Sequence, residues 1–162
     1  MRFDPVEICA VLSEEGVEFV VLGGFAAIIH GSPLPTEDID VIPSRSAANL
    51  ERLATALKRL EAKIRTGDEP IETRIDAAFI LNMPHMLNLV TRCGDIDLVF
   101  TPAGTLKNYE QWLERSRRAQ LREGLVVAVA DLDDIIASKT AANRPKDQRS
   151  LPYLESLRDQ LG

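Results

Sequence analysis

Residues 17–42 read VEFVVLGGFAAIIHGSPLPTEDIDVI, and this stretch decides how the rest of the chain is understood. Val17 to Leu22 is short and rich in β-branched and aromatic residues, so it reads as a buried strand, and it runs directly into Gly23 and Gly24, a sharp turn. Phe25 to His30 supplies about two apolar helical turns, which Gly31 is well placed to terminate. Ser32 to Thr36 carries two prolines and is predicted to be a loop. Asp38-Ile39-Asp40-Val41-Ile42 then alternates acid and aliphatic residues until Pro43, as expected of a second strand with a carboxylate face.

Outward from this stretch, Asp4 followed by Pro5 starts a helix whose apolar positions recur until Gly16. Between Arg45 and Ala62 the residues Leu50, Leu53, Leu57 and Leu60 follow helical spacing, predicting an amphipathic helix packed on the sheet. Residues 66–75 are polar and poorly patterned, and Asp76 to Leu81 fits either a short helix or an irregular segment. Met86 to Val90 and Ile96 to Phe100 read as strands joined through Arg92-Cys93-Gly94. A helix around Leu106 to Glu114, a strand at Leu125 to Val129, and helices at about 131–142 and 147–160 complete the pattern. The expected organisation is one domain over residues 1–162, ending in a short helical part at about 131–162.

The 162 residues are 45% hydrophobic and 27% charged, an ordinary balance for a folded globular protein. No apolar run approaches the roughly 18 residues of a membrane span, and the opening MRFDPVEICAVLSEEG is interrupted by acids, so a cytoplasmic protein without membrane contact is expected. Cys9 and Cys93 lack any CxxC or Cys/His spacing and are predicted to be buried free thiols, which argues against zinc. The net charge of -6 argues against a protein that coats nucleic acid over its whole surface. Basic residues are concentrated locally, with Arg115, Arg117, Arg118 and Arg122 in one cluster and Lys139, Arg144, Lys146 and Arg149 in another. The first cluster could track RNA phosphates, although a solvated charged face is the commoner meaning of such a run.

Residues two apart in a strand face the same way, so Asp38 and Asp40 present two carboxylates together while Ile39 and Val41 enter the core. Adjacent anions repel, and a hard divalent cation such as Mg2+ or Mn2+ relieves that repulsion. Asp97 lies on another predicted strand and supplies a third ligand if the two strands are adjacent; Asp95 shares its face but sits nearer the turn. Three carboxylates can hold two cations roughly 3.5 to 4 Å apart, as in two-metal phosphoryl chemistry. An isolated DxD in a strand is more often a solvated edge, and a Gly-Gly pair alone can be a mere tight turn. Their order here, with a strand, diglycine, helix, loop, DxD strand and later acidic strand, favours a site where backbone N–H groups approach a phosphate. His30 and His85 form no credible pair with a nucleophile.

In Gly23-Gly24, Thr36-Glu37-Asp38-Ile39-Asp40 and Gly94-Asp95-Ile96-Asp97-Leu98 the chain resembles the DNA polymerase β-like nucleotidyltransferase superfamily. With Asp131 to Lys139 and Arg144-Pro145-Lys146-Asp147 it is similar to the minimal nucleotidyltransferases and the AbiEii or MenT-like toxins of bacterial toxin-antitoxin pairs. The resemblance spans about residues 17–150. It implies an α+β fold, a small mixed, mainly antiparallel sheet with helices packed on it, and a metal-dependent nucleotidyltransferase. It further implies that Gly23 and Gly24 contact the triphosphate, that Asp38, Asp40 and Asp97 bind Mg2+ or Mn2+, and that Asp97 helps activate the acceptor hydroxyl. Lys139 would act at the nucleotide; Asp147 would do so too, or would simply cap the last helix. The implied partners are an NTP such as ATP, an RNA acceptor such as the tRNA 3′ end, and a cognate antitoxin. A small-molecule or protein hydroxyl acceptor, or a non-catalytic nucleotide-binding module, are the alternatives. The chain departs from many relatives at Leu34, where they carry a basic residue that Arg45 or Lys139 would have to replace, and it lacks their large additional C-terminal helical region. Thr36 beside the acidic strand is an expected point of control by phosphorylation.

Overall fold

The computed structural model describes residues 2–162. Helix α1, Pro5–Glu14, begins where Asp4 Oδ1 accepts the Glu7 N–H at 3.1 Å and Pro5 occupies its first turn. Strand β1, Phe19–Leu22, is buried along its whole length and passes without a loop into α2, Gly23–His30. Gly31 closes α2 in the left-handed conformation, φ 115°. Strand β2 is Asp38–Pro43, and α3, Ala47–Arg59, starts two residues after the expected Arg45 because Ser46 accepts the Asn49 N–H at 3.2 Å.

A two-residue strand β3, Lys63–Ile64, precedes the poorly patterned region, and the ambiguous segment beyond that region is a helix, α4, Ala77–Leu81, capped by Asp76 through the Phe79 N–H at 2.9 Å. The hairpin follows as β4, Met86–Thr91, and β5, Gly94–Val99. Next come α5, Tyr109–Arg115, and β6, Arg117–Arg122, a strand not foreseen from the sequence. The arginine-rich run that reads as a charged face is an edge strand, where charges deter further strand pairing. Strand β7, Leu125–Val129, and helices α6, Leu132–Ala142, and α7, Pro145–Leu161, complete the chain.

The seven strands lie in the order β3-β4-β5-β2-β1-β7-β6. Only the β1/β7 and β2/β5 junctions are parallel; the other four are antiparallel, so the sheet is mixed and mainly antiparallel, as expected. Val20, Val21, Ile39, Val41, Ile96 and Leu98 fill the sheet's centre with no exposed surface. They pack with Ile8 and Leu12 of α1 and with Leu50, Leu53 and Leu57 of α3. Burial of each such side chain is worth about 1.5 to 3 kcal/mol, which outweighs the cost of the acids crowded at one end of the central strands. Asn49, fully buried, accepts the Glu18 N–H at 2.7 Å and donates to Glu18 O at 3.0 Å and Ser44 O at 2.7 Å, pinning the start of β1 to the end of β2.

Candidate functional site

Strands β2 and β5 run parallel and in a register that sets Asp38 beside Asp95 and Asp40 beside Asp97. Ile39 and Ile96, register partners between them, are fully buried, so the pleat turns the acids to the opposite face. One carboxylate oxygen from each of Asp38, Asp40 and Asp97 lies within 4.8 Å of the others. Asp95 stands outside this group and meets Arg65 Nη1 at 3.6 Å.

The donor set fits a hard divalent cation. All three ligands are carboxylates, and Asp97 is buried with only 7% exposure. Burial, followed by the repulsion of Asp38 and Asp97, pushes the Asp40 carboxyl up to about 7, with Lys146 opposing the rise. Burial also pushes Asp97 above its usual range, against the hydrogen bond and charge of Arg65. Negative charge is thus concentrated where Arg65 and Lys146 balance it only in part.

The diglycine is shaped by the same strands. Gly23 has φ +66°, and a β-carbon there would collide with the Asp40 carboxylate. A β-carbon on Gly24 would lie 2.9 Å from Thr36 Oγ1. The first turn of α2 therefore approaches the acids as backbone alone, leaving its unpaired N–H groups beside the cavity. Thr36 itself donates to Asp38 O at 3.1 Å and lies 3.5 Å from Asp38 Oδ1.

These groups line a cavity of about 270 Å3. Lys139 from α6, and Arg144 and Lys146 around the start of α7, also line it, as does Leu34. Of the two candidates to replace a basic residue at position 34, Lys139 is in place and Arg45 is not. Arg45 donates to Met83 O at 3.1 Å and Leu81 O at 2.5 Å, with its guanidinium 4.4 Å from the Phe100 ring centre.

Asp147 does not line the cavity. It is completely buried beneath the basic rim, accepting the Arg144 N–H at 3.1 Å and Arg144 Nε at 2.7 Å, with Lys139 Nζ at 3.6 Å. Burial acts to raise its pKa, but these Arg144 bonds outweigh it and hold the carboxyl below its usual range. Asp147 thus caps α7, as one of its two expected roles has it, and pairs with two cations that line the cavity.

Neither histidine enters the cavity lining: His30 Nε2 lies 2.7 Å from Ala130 O, and His85 Nδ1 lies 3.0 Å from Thr101 Oγ1. Of the clustered arginines, Arg115 at the end of α5 is paired with Asp134 at 2.8 Å, and in β6 Arg117 is paired with Asp131 at 2.6 Å and Arg122 with Glu7 at 3.6 Å. Cys9 and Cys93 are buried free thiols, as expected, and burial pushes Cys9 up to about 12.

Two residues with a place at the site were not singled out in the sequence. Arg65 reaches Asp97, but it follows a two-residue strand too short to show a pattern. Trp112 lines the cavity, and among the described residues its Nε1 is the one buried side-chain polar atom without a hydrogen-bond partner. Its helical spacing reads only as core. No helix among the described residues is long and apolar enough to cross a membrane.

Residues 6–156 match the model of a family described as "Nucleotidyltransferase of unknown function (DUF6036)". No curated protein matches the chain at the sequence level. Among solved structures it is similar to the lincosamide antibiotic adenylyltransferase LnuA, in its lincomycin-bound form, with a TM-score of 0.64 and 12% identity over 97% of this chain and 99% of that one. It is also similar to ANT(2″)-Ia in complex with adenylyl-2″-tobramycin, with a TM-score of 0.60 and 14% identity over 96% and 86% of the two chains. A nucleotidyltransferase candidate from Thermotoga maritima shares 16% identity over 97% and 89%, with a TM-score of 0.53. At these identities the likeness speaks for the fold.

Proposed function

The chain belongs to this DUF6036 family of nucleotidyltransferases, and we propose that it moves a nucleoside monophosphate from an NTP to an acceptor hydroxyl at the Asp38, Asp40 and Asp97 cluster. The observation that carries this reading is the β2/β5 register, which converges three carboxylates on one point beside the diglycine turn. Bound Mg2+ or Mn2+ would neutralise that charge and the triphosphate's, and would lower the barrier to displacement at the α-phosphorus.

In this reading the bare backbone of Gly23 and Gly24 receives phosphate oxygens, and Lys139, Arg144 and Lys146 face the triphosphate from the opposite wall. Asp147 acts one layer behind, holding Lys139 and Arg144 in place. The acceptor oxygen forms a bond to the α-phosphorus, the bond to the bridging oxygen breaks, and pyrophosphate leaves. Asp97 takes the hydroxyl proton. Because the reaction consumes NTPs, we place the protein in the cytoplasm.

For the acceptor we favour a small hydroxyl-bearing molecule. The cavity wall near the acids includes Leu34, Met86, Val99 and Pro102, an apolar lining suited to a compact organic acceptor. The arginines that would have tracked RNA are largely engaged with acids. The neighbours named for lincomycin and adenylyl-tobramycin are consistent with such an acceptor. The second reading, a toxin acting on the tRNA 3′ end and restrained by an antitoxin, rests on the resemblance of residues 131–147. Incubation with each α-labelled NTP and Mg2+, with total tRNA in one set and a lincosamide and an aminoglycoside in another, separates them. Label on a small molecule and not on tRNA is the expected result. Label on tRNA alone would replace this acceptor with the toxin reading, and the absence of label or pyrophosphate release with any acceptor would sink both.

A further inference from the structure

Arg65 is tethered on several sides. Its backbone N–H donates to Asn88 O at 3.0 Å, extending the pairing of β3 with β4 by one residue. Asn88 is in turn the register partner of Asp97 on β5. From this base the side chain crosses β4, with Nη1 donating to Leu89 O at 3.1 Å and lying 3.6 Å from Asp95 Oδ2, while Nη2 donates to Asp97 Oδ1 at 2.5 Å. The Asp97 side chain is only 9% exposed and that of Arg65 26%, so the pair is partly shielded from water.

We propose that Arg65 is a positioning residue that holds Asp97 by one oxygen, leaves the other for the Asp38 and Asp40 cluster, and sets how strongly that cluster attracts a divalent cation. The inference rests on the function proposed above. A carboxylate has two oxygens, and without Arg65 both would be free to rotate away from Asp38 and Asp40, whose charges repel them. A planar guanidinium tied to a backbone carbonyl and two carboxylates fixes one orientation, which an ammonium does not do. The same cation lies within the field of the cluster and opposes entry of a second cation. Arg65 therefore exchanges some affinity for the free metal ion for an ordered third ligand.

The test uses the full chain with Mn2+ alone, without nucleotide, read by calorimetry, and separately steady-state transfer. Arg65→Gln is expected to bind Mn2+ about ten-fold more tightly than wild type while kcat falls at least about ten-fold. Arg65→Lys, which keeps the charge, is expected to bind Mn2+ within about three-fold of wild type yet still lose about ten-fold in kcat. Thermal melts establish that each variant is folded, and Arg65→Lys carries the test should Arg65→Gln not fold. Mn2+ binding by wild type without tightening in Arg65→Gln, or full kcat in Arg65→Lys, overturns the proposal for Arg65 alone. No Mn2+ binding by wild type and Arg65→Gln alike overturns the metal cluster and the role of Arg65 together.

Discussion

Gly23 and Asp40 meet so closely that any β-carbon on the glycine would overlap the aspartate's carboxylate. The contact joins the first turn of α2 to the middle acid of the cluster. It makes the absence of a side chain at position 23 a condition for the position of a proposed metal ligand.

Gly23→Ala should therefore damage activity more than stability. A non-glycine residue at φ +66° costs about 1 to 2 kcal/mol, and the clash must displace Asp40. We expect kcat/KM to fall at least about 100-fold. Gly24→Ala, whose β-carbon meets the Thr36 hydroxyl and methine at 2.9 and 3.2 Å, should lose less. Equal losses in the two variants, measured beside their melting temperatures, would refute the special role of position 23.

Asp40 gives the metal-free protein a pH dependence of definite sign. Its folded-state pKa of about 7 lies above the ordinary 3.8 of an aspartate, so the folded form holds the proton more tightly. The resulting stability is present in full below the unfolded value and is lost as pH rises through about 7. With chelator present, Tm should fall between pH 5 and 8 by the equivalent of a few kcal/mol at most. Asp40→Asn should flatten that slope, melt higher than wild type at pH 8, and gain little from added Mg2+, which should stabilise wild type. A variant that melts lower than wild type at pH 8 without metal would contradict the charge repulsion inferred for the cluster.

Asp147→Asn should loosen the basic rim from beneath. The buried carboxylate balances Arg144 and Lys139, and breaking a buried pair costs about 3 kcal/mol. The KM for NTP is expected to rise about ten-fold, with a smaller change in kcat, because the two cations lose their anchor rather than their charge. An unchanged KM in a folded Asp147→Asn protein would mean that Arg144 and Lys139 do not depend on it.

Trp112 provides a direct optical readout, since it is the only tryptophan and lines the cavity. Titration with an NTP and Mg2+ should change its emission, saturating at the same concentration as calorimetric binding. Binding without any change in emission would place the nucleotide elsewhere.

How much of this was legible beforehand follows from the range of the forces involved. The strand meeting Gly23-Gly24, the short helix closed by Gly31, and the alternation of Asp38 and Asp40 with Ile39 and Val41 were readable, because pleat, helical period and glycine's conformational freedom act over a few residues. Asp97 was recognisable as an acid on a strand, but its contact with Asp40 was conditional on β2 and β5 becoming neighbours, and 56 residues of chain separate these positions. The β6 edge strand was hidden because its arginines mask any apolar alternation, while its pairing is decided by β7.

By itself, then, the sequence determined which side chains share a face and where the backbone must be bare, since both depend on local geometry. Tertiary structure alone decided that Arg65 reaches Asp97, that Arg45 is spent on a loop and an aromatic ring, and that Asp147 lies under the basic rim instead of in the cavity. Those outcomes depend on strand order and on burial, which are set by how distant apolar faces pack together, and no short-range pattern encodes them.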